Sequence, residues 1–197
     1  MKKIITLVLC VLLCFSTIAV AEEAAAPQAV TSVTGLFTVE LPEGYQALSA
    51  DLIQAAMDKF GSKELQNANY DISALQNLDL TSGDYYYSED FSRNFNVQVA
   101  PESGITTDTL ESMADSLGLS LTEAYVDFGA AEEDCEAVGI ELIGERPFYV
   151  YRVVLLKQPL SQYITADANG NMYTLTFTNM EEEAVQAILT SFQLVEE

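Results

Sequence analysis

Short stretches of strict alternation recur along this chain. In "GLFTVELPEGY", Phe37, Val39 and Leu41 alternate with Leu36, Thr38 and Glu40, the two-residue period of a strand, and Pro42-Glu43-Gly44 ends it. "DYYYSED" and "NFNVQVA" predict two more strands; in the second, Phe95, Val97 and Val99 alternate with Asn94, Asn96 and Gln98. "CEAVGIELIG" reads as a strand interrupted at Gly139. "FYVYRVVLL" is the most β-rich run and reads as a central strand.

Helical spacing appears in three places. Ser49 caps a helix with the face Ile53, Ala56, Met57 and Phe60, ending at Gly61. Thr107 or Asp108 caps a second, with Leu110, Met113, Ala114 and Leu117 on one face and Gly118 as its stop. Asn179 caps the third, Glu182 completes a capping box, and Val185, Ile188, Leu189 and Phe192 form its apolar stripe. The run Glu181 to Glu183 places negative charge at the positive end of that helix dipole. Between 62 and 83 the chain is rich in Asn, Gln and Asp, and Ile72, Leu75 and Leu78 suggest one short helix. "LTEAYVDFG" fits helix or strand equally.

"DANGNMYTLTFTN" raises a choice between a calcium loop and a hairpin bend. For an EF-hand loop the glycine comes too early, and Thr178 stands where a glutamate ligand is needed. With Asn169-Gly170 as the centre of a two-residue type I′ turn, Ala166 pairs with Tyr173, Ile164 with Leu175 and Gln162 with Phe177. The alternate pairs are then Asp167 with Met172, Thr165 with Thr174, and Tyr163 with Thr176. That register gathers Ile164, Ala166, Tyr173, Leu175 and Phe177 on one face and mostly hydroxyl residues on the other, so a hairpin is expected. Adjacent hairpin strands demand antiparallel neighbours. The expected fold is therefore α+β: a single domain over 35–197, with a central, mostly antiparallel sheet flanked by helices.

The N-terminus sets a compartment. Lys2 and Lys3 precede the apolar run Ile4 to Val20, and Ala19-Val20-Ala21 fits the small-x-small pattern of a signal-peptidase site, with cleavage after Ala21. Cys10 and Cys14 each follow a leucine rather than a small residue, which argues against a lipid anchor. The short positive segment and compact apolar run look bacterial, so a secreted or cell-envelope protein is expected. Residues 22–34, rich in Ala and small side chains, read as a flexible leader.

Cleavage leaves six basic against thirty acidic residues, a formal charge of 6 − 30 = −24. Such a chain repels nucleic acid and anionic membranes, and its acidity serves solubility or attraction of a cation or cationic partner. Lys59, Lys63, Arg93, Arg146, Arg152 and Lys157 are scattered and form no patch. Cys135 is the only cysteine outside the expected signal segment; it has Glu133, Asp134 and Glu136 around it and no histidine to activate it, the setting of a passive thiol.

With no histidine in the sequence, Ser-His-Asp and Cys-His catalysis and histidine metal sites are excluded. There is no cysteine-rich zinc pattern and no phosphate-binding glycine loop. Carboxylate chemistry of the glycosidase kind remains, although tryptophan, a common sugar platform, is absent. The most distinctive surface candidate is "SGDYYYSED": Tyr85 and Tyr87 on one strand face, with Asp84, Glu89 and Asp90 beside them, could form a recognition edge. The expectation is a non-catalytic binding or accessory module for a protein or envelope component, with a carboxylate-based glycan hydrolase as the alternative. No cofactor or metal is expected, and a monomer that does not insert into membranes.

The pattern "FTVELPEGY" early in the chain, closed by "YTLTFTN", a helix and "SFQL", resembles the PsbP/Mog1-like superfamily over about Gly35 to Val195. The resemblance implies a central antiparallel sheet covered by helices on both sides. Members of that superfamily include extrinsic photosystem subunits, a Ran-binding factor and many bacterial secreted proteins, which share architecture rather than chemistry. Histidine metal sites found in some members have no counterpart in this sequence.

Overall fold

A computed structural model describes residues 28–49, 83–89 and 92–195. The expected signal segment, the helix between Ser49 and Gly61, and the short helix near Leu75 lie outside the described residues. Ten strands are described: β1 (Gln28–Thr31), β2 (Phe37–Leu41), β3 (Tyr45–Ala47), β4 (Gly83–Ser88), β5 (Asn94–Ala100), β6 (Cys135–Ile143), β7 (Arg146–Leu155), β8 (Gln158–Ala166), β9 (Met172–Thr178) and β10 (Gln193–Leu194). Two helices accompany them, α1 (Leu110–Asp127) and α2 (Glu182–Ser191). The fold is α+β, and every strand pairing among the described residues is antiparallel.

The main sheet has the order β3-β4-β5-β9-β8-β7-β6. It is two meanders, β3 to β5 and β6 to β9, joined where β5 pairs with β9. Helix α1 connects them and packs on β6 and β7. A smaller sheet, β1-β2-β10, covers the opposite face together with α2. Strand β7, expected to be central, lies next to the β6 edge, and β9 is the middle strand. Its β-rich composition reflects cover on both faces: Phe148, Tyr149, Val150 and Tyr151 are all buried.

The two faces differ. One carries Tyr86, Phe95, Val97, Val150, Tyr163, Tyr173, Leu175 and Phe177 against Phe37, Val39 and Leu41 of β2 and Val185, Ile188, Leu189 and Phe192. Tyr86, Phe95 and Phe177 stack in series, with centroids 4.6 and 5.6 Å apart. The other face is apolar only under α1, where Tyr149, Tyr151, Val153, Leu160 and Ile164 meet Leu110, Leu121 and Tyr125. Across β5, β9 and β8 it turns polar: the pairings bring Asn94, Asn96, Thr174, Thr176, Thr178 and Gln162 together, all buried. Gln162 donates to Thr176 at 3.0 Å, while the Thr178 hydroxyl is buried with no partner.

This explains a corrected register. The observed pairs are Ala166 with Met172, Thr165 with Tyr173, Ile164 with Thr174 and Tyr163 with Leu175, one residue away from the expected set. Ile164 and Ala166 therefore face the α1 side, opposite Tyr173, Leu175 and Phe177. A one-residue slip exchanges faces, and burial on both sides removed the polar signal that would have exposed the slip. The threonines expected at the surface are as buried as their apolar neighbours.

Other boundaries also move. Residues 28–31, expected in a flexible leader, form β1. Their side chains are mostly exposed, so backbone pairing with β2 rather than an apolar stripe holds them. Gly118 does not stop α1, which runs on to Asp127 through the ambiguous stretch. It is the point of closest approach between helix and sheet: a Cβ there would lie 2.7 Å from the Tyr149 hydroxyl and 3.1 Å from Ala137 Cβ. The helix starts after Thr109 rather than Thr107 or Asp108, and Met113 is exposed. Glu181, not Asn179, precedes α2; Asn179 has φ +55° and donates to Ser92 O at 3.0 Å. The interruption expected at Gly139 is present as a register shift against β7, with φ +105°.

Candidate functional site

The expected recognition edge on β4 does not form. Tyr85 and Tyr87 are 7% and 2% exposed, and β4 is no free edge, since it pairs with both β3 and β5. Asp84 lies on the opposite face. Its Oδ1 accepts the Val33 N–H at 2.8 Å and a 3.5 Å bond from the Tyr86 hydroxyl. Burial raises the Asp84 pKa, partly offset by these two bonds, and its Oδ2 is buried without a partner. Asp84 thus fastens the segment after β1 to the main sheet. Glu89 is exposed in the turn, and Asp90 lies outside the described residues. Adjacent aromatic and acidic residues suggested a surface, but Asp84, Tyr85 and Tyr87 are all buried.

An open concave surface occurs instead beside the β8–β9 connection, and it is built by Asp167. Asp167 Oδ1 accepts the backbone N–H groups of Asn169 (2.8 Å) and Asn171 (2.9 Å). Its Oδ2 accepts Asn171 Nδ2 at 2.7 Å and the Tyr173 hydroxyl at 3.1 Å. The backbone closes with Asp167 N–H to Asn171 O at 3.0 Å and a long 3.5 Å bond from Gly170 N–H to Asp167 O. Gly170 alone in this turn has positive φ, +84°; Asn169, expected to share it, does not. The result is a three-residue turn with a glycine bulge, rather than a two-residue type I′ turn. Ser103 and Thr107 anchor it from outside, donating to Gly170 O (2.8 Å) and Ala166 O (2.7 Å).

This turn forms one wall of a cleft of about 810 Å³ lined by Leu36, Thr107, Arg146, Asn169, Tyr173 and Val195, among others. Arg146, at the start of β7, is half-buried with its guanidinium over the Phe192 ring, 5.9 Å from the centroid. Burial lowers its pKa, opposed by Tyr173 and Asp167, but a guanidinium stays charged at any physiological pH. Asp167 is raised by burial, yet the bonds from Asn171, Tyr173 and Asn169 outweigh this and lower its pKa overall. Tyr173 is pushed up to about 12, by burial first and then by its bond to Asp167. The shifts move Asp167 and Tyr173 away from neutral pH, and Arg146 stays a cation, so none of these three is tuned toward the range of a general acid or base.

A second concavity, about 650 Å³, is lined by Glu133, Asp134, Cys135, Glu136, Arg152 and Glu182, among others. Its cation is already paired, Arg152 with Glu136 at 3.8 Å. The Cys135 thiol contacts Ala131 O at 3.6 Å. Among the described residues no cluster of three or more acidic or sulfur ligands could hold a metal ion, and no helix is long and apolar enough to cross a membrane.

Sequence reasoning missed this site because Arg146, Asp167 and Thr107 are distant in the chain and Arg146 read as one scattered cation. The usable signal was Asp167 itself, an Asx residue poised to capture the following N–H groups. No protein-family model matches this chain, and a search of curated proteins gives no match either.

Proposed function

We propose that the protein is a non-catalytic, secreted binding or accessory module of a bacterial envelope, and that it engages its ligand through the cleft beside the β8–β9 hairpin. What supports this reading is the make-up of the cleft: Asp167 with both oxygens held by four donors, which lower its pKa, Tyr173 pushed up to about 12, and the Arg146 guanidinium. Such a set orients hydrogen bonds without exchanging protons. A glycosidase needs two cooperating carboxylates, one of them protonated, and among the described residues Asp167 is the only carboxylate lining this cleft. The signal-like N-terminus, ending at Ala21, supports export. The antiparallel sheet with a helix on each face supports a single PsbP/Mog1-like domain. The mature chain is a monomer in this reading.

The test compares the wild type with Asp167→Ala, which releases the turn. The mature wild-type chain, immobilised over native envelope extract, is expected to retain a component that the variant loses, and to show no turnover of a polysaccharide panel between pH 5 and 8 (roughly the range in which general acid–base groups operate). Turnover abolished by changing a carboxylate would favour the hydrolase instead.

A further inference from the structure

We infer that the cleft takes a free carboxylate, specifically the C-terminal end of a peptide with a small or apolar last residue. This rests on the proposed binding role and names its ligand. The sequence has 30 acidic residues, yet Arg146 makes no hydrogen bond or ion pair among the described residues. It lies over the Phe192 ring, 5.9 Å from the centroid, a contact that uses none of its donors. A half-buried guanidinium whose N–H groups have no partner among the described residues is matched best by a planar carboxylate, which it can grip through two parallel bonds.

Asp167 supports that positive charge but forms no ion pair with it, and its oxygens already accept four donors. Its negative charge nearby disfavours a dianion such as phosphate and leaves a monoanion as the better fit. The walls select further. Leu36, Leu194 and Val195 line one part of the cleft, while Thr107, Asn169 and Asn171 line another. Among the described residues Asn169 makes no side-chain hydrogen bond, so its amide can pair with a peptide group. A carboxylate with an apolar branch and a trailing amide satisfies all three elements; an acidic sugar offers the carboxylate without the apolar branch.

The experiment titrates the full-length secreted chain with acetyl-Ala-Ala-Leu bearing a free carboxylate, with the same peptide as its C-terminal amide, and with glucuronate. Binding is read by amide and Arg Nε NMR shifts. The free acid should move the signals of Arg146, Asn169 and Gly170. The amide should bind roughly 10- to 100-fold more weakly, the range of one charge-assisted interaction. Arg146→Gln should weaken the acid to a similar extent while its amide dispersion shows an intact fold, and Arg146→Lys should recover only part of the loss. Equal affinity for acid and amide, an unaffected Arg146→Gln, tighter binding of glucuronate, or no shift with any probe would each overturn the inference. An envelope component retained equally by wild type and Arg146→Gln would also overturn it, leaving the broader binding role standing.

Discussion

The two hairpins that flank β8 reverse what their sequences suggest. The β8–β9 turn contains Asn-Gly, the usual chemistry of a two-residue type I′ turn, and does not form one. The β7–β8 turn is Leu156-Lys157, with no turn-forming residue, yet both have positive φ, 52° and 68°, between the paired Leu155 and Gln158. The twist of paired strands demands that geometry wherever two residues must connect them, so strand pairing imposed it on unfavourable residues. At the other turn a side chain intervened. Asp167 gathers two backbone N–H groups and stabilises a longer connection, and the register follows from it. A local turn preference yields both to the ladder on one side and to a better hydrogen-bond acceptor on the other.

The strongest way to break this contrast is Asp167→Ala. Losing an ionised acceptor shared by four donors should destabilise the protein by about 2 kcal/mol, read as a lower urea midpoint. A change under about 0.5 kcal/mol would mean that the Asn-Gly pair holds the turn after all. In the opposite direction, Leu156→Asn with Lys157→Gly should stabilise the fold by about 1–2 kcal/mol, because each left-handed L-residue is relieved of strain. Leu156 is 72% exposed, so no packing is lost. Equal or lower stability would show that the strain is not real.

The smallest effect is pH-dependent. Asp167 has a lowered folded pKa, so its contribution is present above the ordinary carboxylate range, near about 3.9, and is lost as pH falls through the depressed folded value. Asp167→Asn should remove that acid sensitivity and leave a flatter profile at low pH, measured by thermal midpoints from neutral to acid. Unchanged acid sensitivity would assign the effect to other carboxylates.

Much of the strand framework was legible, since β2, β4, β5, β6 and β7 fall where alternation or β-rich composition placed them. Facing was not. Alternation specifies a register only when one face meets water, and here Thr174 and Thr176 are buried opposite Tyr173 and Leu175. Gly118 misled for a related reason: glycine marks helix ends by its backbone freedom, but here the missing Cβ makes room for the Tyr149 hydroxyl. The cleft was legible only in part. Asp167 and its two asparagines stood out at once, whereas Arg146 acquires meaning only after β7 and the β8–β9 turn are brought to one end of the sheet.

The bulge at Gly139 has a consequence for the company this chain keeps. Among the described residues β6 pairs only with β7, leaving the other side of a nine-residue strand as an edge, with Ile140 and Leu142 exposed. A straight edge of that length would be a template for fibril growth. The extra residue breaks the spacing of its free N–H and C=O groups, so an incoming strand finds two short, misaligned runs instead of one ladder. Glu141, beyond the break, adds repulsion against a second copy, whereas Glu136 is engaged by Arg152. A single glycine thereby makes this edge a poorer template for self-propagating assembly.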